Sequence, residues 1–174
     1  AELRAQIETA LAAGIDITHL DPHMGTALMP EFTAIYRRLG VEYGVPVVLV
    51  SDLKAYNPAS YAGDLDFARY DAEIAAARVA GEPVFDLILE TPWHRTADAE
   101  TAYRDLFASI PEGLSFLALH FNAPGDFEAV NPGDAPIRIG EYELFHTPII
   151  RDWIEEFGLE VVGMRGMRDA LLAR

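Results

Sequence analysis

The stretch Thr18-His19-Leu20-Asp21-Pro22-His23-Met24-Gly25 sets His19, Asp21 and His23 at alternate positions. In an extended backbone successive side chains point to opposite faces, so these three share one side, two imidazoles and a carboxylate together. That is a donor set for a divalent cation. The chain contains no cysteine, so a metal has to be held by imidazole and carboxylate. Pro22 disfavours the helical region for Asp21, and Gly25 permits a sharp bend, which makes the segment a strand end opening into a loop. The plainer alternative has both imidazoles satisfied by backbone carbonyls and Asp21 capping a turn.

The elements that would carry these residues follow from periodicity and punctuation. Residues 2 to 13 form an amphipathic helix with Leu3, Ile7 and Leu11 on one side, stopped by Gly14. A strand over Ile15 to Leu20 leads into the His-rich loop. A second helix runs from Pro30 to Gly44, and Val45 to Val50 is a continuous apolar strand of the kind buried on both faces. After a long loop, Asp64 caps a helix through Ala80, Pro83 to Leu89 is a third strand, and a helix from Ala97 or Asp98 runs to Ile110. Leu114 to His120 is a fourth strand. The chain is then irregular to about Ile139, helical over 140 to 157 with a break near Pro148, extended over Leu159 to Met164 as a fifth strand, and helical again from Gly166 to Arg174.

Alternation of strands and helices predicts an α/β fold with a parallel sheet and right-handed crossovers, one domain over residues 1–174. A closed eight-fold barrel takes about 250 residues, so 174 allow an open sheet or an incomplete barrel-like arc. In either, the C-terminal strand ends meet at one edge, where ligands bind. That edge receives His19, Asp21 and His23, then Asp52 and Lys54, then Glu90, Trp93 and His94, then His120 and Asn122, and last Arg165. Four of the five histidines fall there. Trp93, behind Pro92 and beside His94, is either a core lid or a wall against which a sugar ring stacks. Asn57, Tyr56 and Tyr61 offer a second wall or a surface excursion. Arg165 and Arg168 can serve a ligand or pair with the acidic surface, and His146 reads as structural.

Composition narrows the partners. Thirteen Lys and Arg against 28 Asp and Glu leave a net charge of −15, which argues against a nucleic-acid partner. No apolar run approaches the roughly 18 residues of a membrane span, and no basic-then-apolar signal opens the chain, so no membrane partner and a cytoplasmic location are expected. Glycine-rich phosphate loops are absent, which removes most of the case for a nucleotide.

Thr18-His19-Leu20-Asp21-Pro22-His23 resembles the Thr-His-[Leu/Ile]-Asp-Ser-His motif of the YdjC-like carbohydrate deacetylases, the family of chitooligosaccharide deacetylase. The likeness continues through the apolar strand ending in His120, with Pro124-Gly125 soon after, and through Arg138 to Tyr142 and Gly163-Met164-Arg165. It covers essentially the whole chain, placed as the C-terminal two-thirds of the family. The resemblance implies an incomplete barrel and one divalent metal, zinc or magnesium, held by one Asp and two His, with His23 as one ligand and His19 or Asp21 called on to complete the set. It implies His120 as the catalytic group beside the leaving amine and a carboxylate as the acceptor of the water's proton; on the shared strand-end edge Asp21 is the carboxylate expected to be catalytic, and Trp93, Asn122 and Arg165 are expected to bind substrate. The reaction would be hydrolysis of the N-acetyl group of an amino sugar, an N-acetylated sugar being the partner. The family's Asn-Ala-Asp-Asp-Phe-Gly strand end and its Gly-x-His segment are absent here, and Phe121 stands where the family has Pro. Those missing donors imply a portion of a longer deacetylase, and a homodimer would be another way to complete the set. The alternatives are a non-catalytic carbohydrate-binding or truncated inactive module, or another barrel metal-dependent amidohydrolase.

Overall fold

Helix α1 (Glu2–Ala12) ends where Gly14, at φ 78°, takes a left-handed conformation that glycine adopts without strain. A 3₁₀ segment at His23–Leu28 precedes α2 (Pro30–Tyr43), which has a proline in its first turn, where the missing N–H has no helical partner to lose, and Gly44 as its left-handed stop. There follow α3 (Leu53–Tyr56), α4 (Phe67–Val79), β1 (Leu87–Glu90), α5 (Ala99–Ala108), β2 (Ser115–Ala118), α6 (Phe127–Val130), α7 (Ala135–Phe145), α8 (Ile149–Glu156) and α9 (Met164–Leu172). This computed structural model describes residues 1–56, 65–95 and 97–173. Asn57, Tyr61 and the expected cap Asp64 lie outside the described residues; α4 is capped by Asp66, which accepts from the Arg69 N–H at 3.0 Å.

The result is a mixed α/β chain, rich in helix, with a small parallel sheet of two strands, β1 and β2. Among the described residues no helix is long and apolar enough to cross a membrane. The chain divides into two compact units, Ala1–Leu87 with Val162–Arg174, and Ile88–Val161.

In the first unit the expected apolar strand is buried throughout, from Val47 to Val50, but it forms parallel bridges instead of a ladder. Leu20 pairs with Val47, and Val50 with Phe85. Two prolines explain the first of these. The Leu20 N–H donates to the Pro46 carbonyl and the Val48 N–H to the Leu20 carbonyl. The next rungs on either side would be donated by residues 46 and 22, and both are prolines without an N–H. The expected strand over Ile15 to Leu20 is therefore reduced to one bridge.

Tyrosine hydroxyls reinforce the first bridge and take up the groups that the second leaves. Tyr36, from α2, donates to the Leu20 carbonyl and accepts from the Val48 N–H at 3.2 Å. Tyr70, from α4, donates to the Val50 carbonyl at 2.7 Å and accepts from the Val50 N–H at 3.2 Å.

The second unit packs Tyr103, Phe107, Leu144 and Trp153 into a core, with Phe145 and Leu117 partly buried against it. Tyr103 meets Phe145 edge-on with ring centres 5.4 Å apart, a favoured aromatic geometry. Two expectations change. The segment before residue 139 is not irregular throughout, because Pro136 in the first turn of α7 starts that helix at Ala135. The expected fifth strand forms no ladder: Val161 and Val162 are 76% and 54% exposed, and α9 begins at Met164. The break near Pro148 stands between α7 and α8, as expected.

Candidate active site

The second unit gathers polar side chains around a buried carboxylate. Glu141, on α7, is fully buried, as is Tyr103 on α5, and Thr91, directly after β1, is 2% exposed. The Thr91 hydroxyl donates to Glu141 Oε1 at 2.7 Å, and the Tyr103 hydroxyl donates to the same oxygen. Burial first, and the bond to Glu141 second, push the Tyr103 phenol up, so it stays a donor. The backbone N–H of His120 donates to Glu141 Oε2 at 2.6 Å. A buried carboxylate in such a place needs donors, and here three converge on it.

His120, two residues past β2, is tied to the same group by its ring. Its Nδ1 lies 2.8 Å from the Thr91 hydroxyl oxygen. The imidazole is half-buried and packs against Trp93, ring centres 4.7 Å apart and tilted by 56°. The Arg138 guanidinium lies 5.1 Å over Trp93 and 5.1 Å over Phe127, so the indole is held from more than one side. The Asn122 amide donates to the Ala123 carbonyl at 2.6 Å, and its backbone N–H to the Arg138 carbonyl at 3.4 Å. His94 is exposed. Trp93, His120 and Asn122 thus lie on the strand exits of one unit, with Thr91, Tyr103, Glu141 and Arg138 behind them.

The first unit holds the other candidates. His19 and Asp21 line a pocket of about 380 Å³ together with Leu3, Ile7, Tyr36 and Leu39. His19 is half-buried, and burial lowers its imidazole, the charge of Asp21 opposing this. Its Nδ1 meets the Thr18 hydroxyl at 3.0 Å. His23 is exposed and opens the 3₁₀ segment, where Met24 at φ 55° and Gly25 at φ 68° turn the chain and end the alternation. Arg165, on α9, pairs with Asp16, which also takes Arg168 at 2.6 Å, so the pairing with surface acid applies to both. His146 bonds the Tyr142 carbonyl at 2.7 Å, a structural role.

A family model described as YdjC-like protein matches residues 1–156, most of the chain. The chain belongs to the YdjC-like family. It is also similar to a carbohydrate deacetylase of Thermus thermophilus, 26% identical over 171 residues, which are 98% of this chain and 60% of that protein. This YdjC-like chain therefore spans less than two thirds of the curated relative it matches.

A metal needs several ligands around one point, usually three from the protein with room for water. In this YdjC-like chain no three of His, Asp and Glu gather in that way among the described residues. The described residues do not by themselves make the donor set that the family resemblance implies. What they do make is a hydrogen-bonded chain from the His120 ring through Thr91 to Glu141. Sequence reasoning found His120 and Trp93 but passed over Thr91, Tyr103 and Glu141. One signal was available: Glu141 falls on the stripe of Ile137, Leu144 and Phe145 in α7, and an acid on an apolar stripe needs a buried partner.

Proposed function

We propose that this chain provides part of the active site of a carbohydrate deacetylase that removes N-acetyl groups from amino sugars or oligosaccharides. The observation that carries it is the Trp93–His120 pair, an aromatic wall packed on an imidazole whose ring is anchored from behind. The curated relative's name, carbohydrate deacetylase, supports it. A sugar ring would lie along the exposed part of Trp93, its acetamido group toward His120. Hydrolysis adds water to the acetyl carbon and breaks the C–N bond; the departing nitrogen needs a proton, and His120 is the proposed donor. Asn122 is the proposed further sugar contact.

The parallel pairings are proposed as an arc of an incomplete barrel within a longer deacetylase. A zinc or magnesium ion held with His19 and His23 is a separate proposal, since it calls for donors beyond any group the described residues form. Metal analysis of the purified protein, with and without His23→Ala, tests it: about one ion per chain, lost in the variant, supports it, and no bound ion overturns it.

The deacetylase reading is tested by acetate release from N-acetylated oligosaccharides, with each metal added in turn. His120→Ala should lower kcat by about 10²–10⁴-fold. Release at the wild-type rate by that variant would refute the assignment. The described residues form no such donor set by themselves, and the Trp93 face beside His120 also suits a second reading, a sugar-binding module without activity. Sugar binding abolished by Trp93→Ala, with no acetate released by the wild-type chain under any metal, would establish that reading instead.

A further inference from the structure

We infer that Glu141, acting through the Thr91 hydroxyl, fixes His120 in the tautomer that carries its hydrogen on Nδ1 and leaves Nε2 free to meet a ligand. A threonine hydroxyl has one hydrogen to give. Glu141 Oε1 accepts from Thr91 at 2.7 Å, and that commits the hydrogen. What Thr91 turns toward His120 Nδ1, 2.8 Å away, is then a lone pair, so the ring nitrogen must be the donor. The other partners enforce the same direction. Tyr103 donates to Oε1 and the His120 backbone N–H donates to Oε2 at 2.6 Å, so every neighbour of the carboxylate supplies a hydrogen and its two oxygens accept all of them.

The ring cannot readily turn over to offer the other nitrogen, because Trp93 lies against it with centres 4.7 Å apart. Thr91, Tyr103 and Glu141 are therefore positioning residues for His120, which they hold by tautomer and orientation together, as outer hydrogen bonds hold imidazoles in other sites. When Nε2 takes up a proton, the imidazolium still donates through Nδ1 to Thr91, and the Glu141 charge lies one hydroxyl away. The catalytic meaning of this rests on the deacetylase reading; the tautomer itself does not.

The test is nitrogen NMR of the full chain labelled in its histidines, at a pH where imidazoles are neutral, with His120 assigned by the signal lost in His120→Gln. The wild-type chain should show a hydrogen-bearing Nδ1 and a bare Nε2, and Thr91→Ser should keep that pattern. Glu141→Gln reverses the chain of donors. Its amide oxygen turns to the His120 N–H, its NH₂ gives to Thr91, Thr91 gives to Nδ1, and the ring hydrogen moves to Nε2. A wild-type spectrum with the hydrogen on Nε2 overturns the inference, and so does a Glu141→Gln spectrum unchanged from the wild type. In the acetate assay Thr91→Val should lower kcat by about 10–100-fold with little change in KM. If the tautomer behaves as stated while the wild-type chain releases no acetate under any metal, the deacetylase reading fails and the tautomer stands; if His120→Ala releases acetate at the wild-type rate, only the catalytic role of His120 fails.

Discussion

Three buried tyrosines reach inward from three helices, and they do two different jobs. In the first unit Tyr36 adds its hydroxyl to the bonded pair of Leu20 and Val48, and Tyr70 spends its hydroxyl on the N–H and carbonyl of Val50, which the short parallel bridges leave over. In the second unit Tyr103 spends its hydroxyl on a carboxylate. Backbone groups are present in every protein, and satisfying them is a matter of stability. A buried carboxylate is costly and has no structural necessity, since an apolar side chain of similar size would fill the space. Retaining Glu141 makes sense where its charge is used, and the group it reaches through Thr91 is an imidazole. Polar satisfaction in the first unit maintains the backbone, whereas in the second it holds an imidazole.

The sharpest way to break that contrast is to remove the carboxylate. Glu141→Ala strands the Thr91 and Tyr103 hydroxyls and the His120 N–H at once, each formerly bonded to it. Orphaned buried donors cost about 1–3 kcal/mol apiece, and with some relaxation the loss should be about 3–5 kcal/mol by denaturant unfolding. Less than about 1 kcal/mol would mean that water replaces the carboxylate freely and that Glu141 is no organising centre. Glu141→Leu sharpens the comparison, because it restores apolar volume but no acceptor, and recovery with Leu would assign the loss in Ala to the cavity instead.

The smaller counterpart is Tyr70→Phe. It removes one hydroxyl from a site where Val50, 1% exposed, would keep an unmatched N–H and carbonyl. The expected loss is about 1–3 kcal/mol, with no effect on the His120 tautomer. A change in His120 from this variant would erase the division between the two jobs.

How far this was legible in the sequence depends on the range of the interaction. Pro30 and Gly44 delimit α2 as expected, and Asp98 marks the start of α5, because caps and stops act within one turn. The apolar run from Val47 to Val50 is as buried as its pattern implies. Its reduction to bridges depends on Pro22 lying opposite Val48, a pairing across 26 positions that periodicity does not carry. His120 and Trp93 stood out because both fall at strand exits on the edge where four of the five histidines gather. Thr91 and Glu141 are ordinary residue types 50 positions apart, and their meaning comes only from meeting. The motif at His19 to His23 illustrates the opposite case: conspicuous in sequence, it is divided by the 3₁₀ turn into a half-buried His19 and an exposed His23.

The smallest effect tests whether the helix that presents Tyr103 to Glu141 is held by a titratable cap. Asp98 accepts from the Thr101 N–H at 2.9 Å and from its hydroxyl at 3.1 Å. These bonds, the backbone one first, hold its carboxyl below the ordinary value of 3.8. Since the folded value is the lower one, the unfolded chain binds the proton more readily between the two. The cap's stabilisation is therefore complete above about 3.8, the ordinary carboxylate value, and fades as the pH falls through the folded one. Asp98→Ala should lower the unfolding midpoint at neutral pH, with the gap to wild type closing in acid. Asp98→Asn keeps a capping oxygen without a charge, so it should lie near wild type at neutral pH and lack the acid-dependent step. If the Ala variant's deficit persists unchanged below the carboxylate range, the cap acts through shape, and α5 is held in place by its buried face alone.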